Sequence, residues 1–124
     1  MKIEIDNYKC PSWNESNRAI HWAVRSVIRD EMKSLFLACL YSQYTRAELK
    51  KLGEELKKPV DIKIEAYFKL SNRRDPDNLF VKPILDGIVK AGIFTDDNGD
   101  VIDSLTLRAI RKMPSDKIII YINE

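Results

Sequence analysis

The sequence predicts an α+β fold, in which a small mixed β-sheet of about four strands packs against helices in a single domain of residues 1–124. Two patterns predict this class. Apolar and polar residues alternate over residues 60–69, as in a half-buried strand, and weaker strand-like runs lie near both ends of the chain. Residues 16–40 instead carry apolar side chains at helical spacing. The chain shows no repeat, low-complexity segment or interdomain linker, so one domain is expected.

The first third of the chain predicts a strand followed by a long helix. Residues 2–8 alternate weakly between apolar and polar side chains, which favours a half-buried strand. Ser12 and Glu15 then have the spacing of a capping box, and Asn14 or Ser16 would also serve as helix caps. A helix is therefore expected from about residue 16 to residue 40.

Basic and aromatic side chains on and before this helix allow two interpretations each. Arg18, Arg25 and Arg29 share one helix face, which is either a solvated flank or a row of phosphate contacts on DNA. Trp13 and Trp22 are either stacking platforms for bases or side chains buried in the core or in a dimer interface. The sequence leaves both pairs of alternatives open.

The middle of the chain predicts a short charged helix and the clearest strand. Thr45 and Glu48 form a second capping-box pattern, which predicts a helix that runs to about residue 57. Pro59 ends this helix, because proline lacks the amide donor that a helix interior requires. The alternating strand at residues 60–69 follows directly.

The last third predicts a helix and two closing strands. Residues 78–91 have a helical apolar pattern, with Gly92 suited to its end. Pro83 is compatible only with the first turn of such a helix, where amide groups lack partners anyway, so the helix is expected either to start late or to kink there. Residues 102–113 and 117–122 predict strands joined by a Pro-Ser-Asp turn.

Charge and cysteine content restrict the class of protein. The net charge is only +2, but acidic residues cluster in two places while lysines and arginines are spread around them, which suits a phosphodiester substrate that meets a metal centre. Cys10 and Cys39 have no metal-site spacing, so we expect free thiols in a reducing compartment and a cytoplasmic protein. No apolar run approaches membrane-spanning length, so no membrane partner is expected.

The most informative segment is RRDPDN at residues 73–78, together with Asp96 and Asp97. Four carboxylates in two tight clusters repel one another, so a cation between them is expected. All of these ligands are hard oxygens with no histidine or cysteine among them, which favours Mg²⁺ or Mn²⁺ over zinc. The proline biases Asp75 towards an extended backbone, while Asp77 suits a helix entrance, so both side chains can point into the same space.

Residues 73–102 also resemble the signature of the RusA family of Holliday junction resolvases. The resemblance rests on RRDPDN followed by KPILDGIVKAGIFTDDNGDVI, that is, D-x-D-N, a lysine, K-A-G and a closing pair of aspartates. It implies a RusA-like fold and a homodimeric, Mg²⁺-dependent endonuclease that nicks four-way DNA junctions symmetrically during recombination and repair. It is specific over about a quarter of the chain and loose elsewhere.

By motif position, the resemblance carries the essential carboxylates of the family onto Asp75, Asp77 and Asp97, and its active-site lysine onto Lys82. These three aspartates are thus the expected ligands of one or two Mg²⁺ ions, with Asp96 as a further candidate ligand. The chain departs from the family at residues 79–81, where three residues instead of two precede the lysine. On a helix, one extra residue turns a side chain by about 100°.

Arg73 and Arg74 are expected to grip phosphates beside the scissile bond. Two other functions remain open. One is a non-catalytic nucleic-acid-binding module, in which the aspartates form a structural cation site or cap turns. The other is a nuclease of the same chemistry that acts on flaps or other branched DNA.

Overall fold

The structure is a computed structural model that describes residues 1–13 and 22–124, with only the backbone described for residues 22–25. The elements in chain order are β1 (Lys2–Asp6), α1 (Trp22–Gln43), α2 (Arg46–Glu55), β2 (Val60–Tyr67), a single 3₁₀ turn (Pro76–Asn78), α3 (Lys82–Lys90), β3 (Ile102–Ile110) and β4 (Lys117–Ile122). The predicted α+β class with a four-stranded mixed sheet is confirmed.

The four strands form one sheet in the order β1-β4-β2-β3. β4 pairs antiparallel with both β1 and β2, whereas β2 and β3 run parallel. Two parallel neighbours cannot be joined by a hairpin, so the chain between them must cross back over the sheet. This crossover, residues 68–101, contains the RRDPDN segment, α3 and the pair of aspartates at 96 and 97.

The core lies between the sheet and the helices. Alternate residues of β2, including Ile62 and Ile64, are buried, as the period-two pattern predicts. Met32, Phe36 and Leu40 are spaced four residues apart and form the fully buried stripe of α1. The helical prediction is therefore confirmed for the described part of this segment.

The helix predicted over residues 78–91 begins later, at Lys82. Asn78 instead ends the 3₁₀ turn, and residues 79–81 are buried in an irregular segment. Leu79 forms an isolated antiparallel bridge with Ser12, and the Phe80 N–H donates to the Pro11 carbonyl oxygen at 2.8 Å. These tertiary contacts satisfy backbone groups that a helix would otherwise use, so they outweigh the local start signal.

The capping box at the start of α2 is confirmed. The Glu48 N–H donates to Thr45 Oγ1 at 3.1 Å, and the Thr45 N–H donates to Glu48 Oε1 at 3.3 Å. The helix ends at Glu55, two residues before the predicted limit. Gly53, which is unfavourable in a helix on propensity alone, is buried against the chain that follows α3.

We expect Gly53→Ala to destabilise the fold by about 2 kcal/mol. A methyl group on Gly53 would lie 2.3 Å from the Ile93 carbonyl oxygen, so the backbone of one segment would have to move. On helix propensity alone the same substitution would stabilise α2 by about 1 kcal/mol. The sign of the change in the free energy of unfolding therefore shows which of the two effects is larger. Urea unfolding measures it, with exposed Glu54→Ala as the control. Unchanged or higher stability would contradict the close approach.

The residues of β2 that alternate with Ile62 and Ile64 point to the opposite face of the sheet. One of them is a buried carboxylate. Glu65 is 4% exposed and accepts hydrogen bonds from the Tyr67 hydroxyl at 3.1 Å and from Arg108 at 2.6 Å. Desolvation alone would raise the pKa of Glu65, but hydrogen bonds from Tyr121 and Tyr67, with the nearby positive charges, outweigh it and lower the pKa. The carboxylate therefore links β2 to β3 in its ionised form.

Stability should depend on the ionisation of Glu65. Because its pKa is lowered on folding, the group stabilises the folded state above its unfolded pKa of about 4.3, and this contribution is lost as the pH falls through the folded pKa. We expect Glu65→Gln to reduce the free energy of unfolding by about 2 kcal/mol at pH 7. Urea unfolding at several pH values should show this difference shrinking in acid. A difference independent of pH would contradict the assignment.

Candidate active site

The acidic segment that follows β2 is held in an open turn. Asp75 has an extended backbone (φ −96°, ψ 125°), as the following proline predicts, and its carbonyl oxygen accepts a hydrogen bond from the Asn78 N–H at 3.0 Å. The side chains of Asp75 and Asp77 are exposed and make no hydrogen bond or ion pair with the described residues. Both carboxylates are therefore available to a ligand from solvent.

A cleft of about 240 Å³ lies beside this turn, and its wall contains both predicted phosphate-binding arginines. The lining residues are Ser12, Phe68, Arg73, Arg74, Asp75, Asn78 and Leu79. The Arg74 guanidinium carbon lies 4.5 Å from the centre of the Phe68 ring, and Arg74 Nε is buried without a hydrogen-bond partner among the described residues. An unpartnered buried donor is costly, so an acceptor from a bound molecule would relieve a real deficit.

Ser12 and Phe68 were not predicted as parts of a site. Ser12 had the spacing of a helix cap, but its contact with Leu79 brings it to the cleft, and no local pattern indicates that long-range bridge. Phe68 continues the inward alternation of β2, which predicts burial correctly but not its contact with Arg74.

Trp13 lies next to the cleft residue Ser12 and remains 40% exposed. Its ring meets the Phe80 ring edge to face, with centroids 4.7 Å apart. Of the two interpretations of this tryptophan, complete burial in the core does not apply. The structure leaves part of this aromatic surface exposed, on the residue that follows Ser12 of the cleft wall.

The lysine and the last aspartate of the motif are in direct contact. Lys82 Nζ donates a hydrogen bond to Asp97 Oδ2 and also lies 3.3 Å from Asp86 Oδ1, one turn along α3. The hydrogen bond with Asp97 raises the pKa of Lys82, and the same bond lowers the pKa of the Asp97 carboxyl. At neutral pH the site therefore holds one ammonium between two carboxylates.

Residues 79–81 explain how the lysine reaches this position. They are not helical, so the extra residue before Lys82 does not rotate the side chain by a helical step. Lys82 is instead the first residue of α3, and Pro83 follows it in the first turn, where proline is tolerated.

Asp96 stabilises the turn that presents Asp97. Asp96 Oδ1 accepts a hydrogen bond from the Asp97 N–H at 2.7 Å, and its Oδ2 accepts one from the Asn98 side-chain amide at 3.2 Å. The Asp100 N–H in turn donates to Asn98 Oδ1 at 3.0 Å. Asp96, predicted as a further metal ligand, thus has both oxygens engaged within its own turn.

The predicted arginine row on α1 is described only in part. Arg29 is exposed, with Nε 3.5 Å from Asp30 Oδ1 and a terminal nitrogen 3.5 Å from Ser26 Oγ. Arg25 lies in α1, but its side chain is outside the described atoms, and Arg18 is outside the described residues altogether. The same holds for the side chain of Trp22.

The donor set has the chemistry of a site for a hard divalent cation, but the carboxylates are not gathered around one point. In residues 1–13 and 22–124, no group of three or more Asp, Glu, His or Cys side chains is arranged to hold a metal ion. Within this part of the chain, Asp75 and Asp77 make no hydrogen bond or ion pair with Asp97, while Lys82 already neutralises Asp97. The oxygen ligands therefore fit Mg²⁺ or Mn²⁺ in type, and assembling them requires a change in side-chain positions or an additional ligand.

No protein-family model matches the chain, and a search of curated proteins finds no match to it. Among the described residues, no helix has both the length and the apolar character needed to cross a membrane. Cys10 and Cys39 do not form a disulfide bond with each other.

Proposed function

We propose that the protein is a Mg²⁺-dependent endonuclease of the RusA type, which resolves four-way DNA junctions by paired symmetric nicks. The observation that supports this most is the contact between Lys82 and Asp97. These residues come from two separate parts of the motif, fifteen positions apart, and an extra residue precedes the lysine. If Asp97 only capped a turn, its contact with this lysine would not be expected.

The roles proposed for the side chains follow from their chemistry. Asp75, Asp77 and Asp97 would hold Mg²⁺ or Mn²⁺, with Asp96 fixing the turn that carries Asp97. When bound, such an ion would make water more acidic and neutralise charge on the phosphate. Lys82 keeps its proton at neutral pH, so its ammonium can stabilise negative charge on the substrate.

The cleft supports a phosphate-binding role for the two arginines. Arg74 has a buried Nε–H with no acceptor in residues 1–13 and 22–124, and a phosphate oxygen is an acceptor of suitable charge. Arg73 is exposed on the same wall, where it can follow the DNA backbone. Arg18, Arg25 and Arg29 are proposed as further phosphate contacts. A homodimer would supply two such sites related by a two-fold axis.

Cys10 and Cys39 are not joined by a disulfide, which fits a reducing compartment, and a cytoplasmic location is part of the proposal.

A panel of DNA substrates tests the proposal. Synthetic four-way junction, flap and linear duplex of matched arm sequence are incubated with the protein, with and without Mg²⁺. We expect Mg²⁺-dependent nicks in the junction, at a rate well above that on duplex, and none with Asp75→Asn. Nicking of flaps alone would keep the chemistry and change the substrate. If none of the three substrates gives a Mg²⁺-dependent product, the proposal is rejected.

A second candidate function is a non-catalytic nucleic-acid-binding module. It is favoured by one observation, namely that no three acidic side chains of the described residues are arranged around a cation. In this case Asp97→Asn should leave DNA binding unchanged, and Mg²⁺ should trigger no product. The panel described above separates the two functions directly.

Trp13 provides a prediction about binding. An exposed tryptophan beside a basic cleft can stack on a base that is unpaired at a branch point, and such stacking contributes about 1–3 kcal/mol per base. We expect Trp13→Ala to weaken junction binding in EDTA by about tenfold. Tyr41→Ala is the matched control, because Tyr41 is an exposed aromatic residue of α1 that contacts Arg46. Equal losses in both variants would remove Trp13 from the interface.

A further inference from the structure

β3 forms one edge of the sheet, and no described residue pairs with its outer side. The strand has nine residues with neither proline nor lysine, whereas the opposite edge strand, β1, has five residues and alternates charged with apolar side chains. Natural edge strands are usually protected from pairing by short length, lysine or proline. β3 has none of these protections along Ser104–Ile110.

The backbone groups that β3 presents outwards can be identified from its pairing with β2. The Phe68 N–H donates to the Ile110 carbonyl oxygen at 2.8 Å, and the two strands keep a regular parallel register from Asp61 onwards. Even-numbered residues of β3 therefore direct their N–H and C=O groups to β2. The same groups of Leu105, Leu107 and Ala109 point away from the sheet and have no backbone partner in the part of the chain that the structure describes.

The helix-facing side of β3 is only partly covered. Leu105, Leu107 and Ala109 stand in register with Ile62, Ile64 and Ala66 of β2, which are fully buried. Leu105 is 41% exposed, and Leu107 and Ala109 are only half-buried. An apolar strip thus continues onto the last strand, where the described residues cover it only in part and Leu105 is the most exposed of its members.

We propose that β3 pairs antiparallel with β3 of a second copy of the chain, about a two-fold axis at Leu107. The result is a continuous sheet of eight strands in the dimer, from two sheets of four. Side chains that face each other across the two strands must lie on the same side of the sheet, which leaves a small number of registers. In the register with its axis at Leu107, Leu107 faces Leu107 of the partner subunit, and Leu105 faces Ala109 of the partner subunit.

Two features independently select this register. A bulge lies at the start of β3, between the pairs Val60–Ile102 and Asp61–Ser104, so the regular part of the strand is Ser104–Ile110 and its midpoint is Leu107. The residues that flank this regular part are Asp103 and Arg111, both exposed and opposite in charge. With the axis at Leu107, the bulge residue Asp103 of each copy would lie near Arg111 of the partner subunit. Within its own chain, Arg111 also donates a hydrogen bond to the Ser71 carbonyl oxygen at 3.1 Å.

The pairing of β3 adds a dimer interface to the proposed function. It rests on that function only because the function leads us to expect a homodimer. The test therefore measures assembly and DNA cleavage separately. Sedimentation of the full chain should show a dimer at the concentrations used for cleavage. A covalent dimer that cuts no DNA would uphold the pairing and reject the nuclease. A monomer that cuts junctions would uphold the nuclease and reject the pairing.

Cysteine substitution tests the register. In a Cys10→Ala, Cys39→Ala background, Leu107→Cys should give a disulfide-linked dimer with diamide, because facing hydrogen-bonded residues have Cα atoms about 5.5 Å apart. Leu105→Cys alone should not link, whereas Leu105→Cys combined with Ala109→Cys should. Linking by Leu105→Cys alone, or a dimer in which Leu107→Cys fails to link, would overturn the proposal. Circular dichroism of each variant confirms that the sheet is intact.

Discussion

Asp77→Asn should abolish Mg²⁺-dependent cleavage of a four-way junction, with a loss on the order of 100-fold or more. Loss of an outer partner of a metal ligand already costs about 10- to 100-fold in activity, and a direct ligand should cost at least as much. Asparagine keeps the size and one oxygen of the side chain but removes its charge. Because Asp77 is exposed and makes no hydrogen bond or ion pair with the described residues, stability should change by less than about 0.5 kcal/mol.

The control for this variant is Asp100→Asn, which removes an exposed carboxylate from the turn after Asp97. Single-turnover cleavage and urea unfolding are measured on both proteins. Cleavage should be lost only in Asp77→Asn, while junction binding in EDTA should persist in both. If Asp77→Asn nicks at the rate of the unmodified protein, the metal-site assignment is wrong.

Lys82→Met should change cleavage and cation binding in opposite directions. The lysine ammonium lies between the carboxylates of Asp97 and Asp86, so it competes with any divalent cation for Asp97. Its removal should tighten Mn²⁺ binding about two- to fivefold, since an ion pair with a half-exposed lysine is worth no more than about 1 kcal/mol. Cleavage should fall about 100-fold, as when a single donor to a transition-state charge is removed.

Lys90→Met, at the other end of α3, is the matched control and should alter neither quantity. Calorimetric titration with Mn²⁺ reports cation affinity without DNA, so this readout does not depend on activity. An Asp97→Asn variant should show weaker Mn²⁺ binding in the same assay. Weaker Mn²⁺ binding by Lys82→Met would contradict the competition between the ammonium and the metal.

The sequence predicts those parts of the fold that depend on local pattern. The alternation at residues 60–69, the helical stripe that ends at Leu40 and the capping box at Thr45 all correspond to elements of the structure. Of the late start and the kink that Pro83 predicts as alternatives for α3, the structure shows the late start, at Lys82. The contacts that occupy residues 79–81, however, come from the distant Pro11 and Ser12. Tertiary hydrogen bonds of that kind leave no periodic signal.

The candidate site also divides into features that the sequence predicts and features that depend on long-range contacts. Side-chain chemistry identifies the carboxylates, the lysine and the two arginines, because each residue type has few chemical roles. Their arrangement depends on long-range contacts. The bridge from Ser12 to Leu79 builds the cleft, and the return of the chain to Lys82 places Asp97. The convergence of Asp75 and Asp77 with Asp97 about a cation stays a prediction.

The irregular residues 79–81 separate the 3₁₀ turn that carries Asp77 from the first turn of α3. A stretch that is neither strand nor helix can gain or lose a residue without changing the phase of the helix behind it. Its ends are fixed by other parts of the molecule, through Ser12 at Leu79 and Asp97 at Lys82. The number of residues between the D-x-D-N segment and the lysine can therefore differ between chains, while the lysine ammonium still reaches the carboxylate of the closing aspartate.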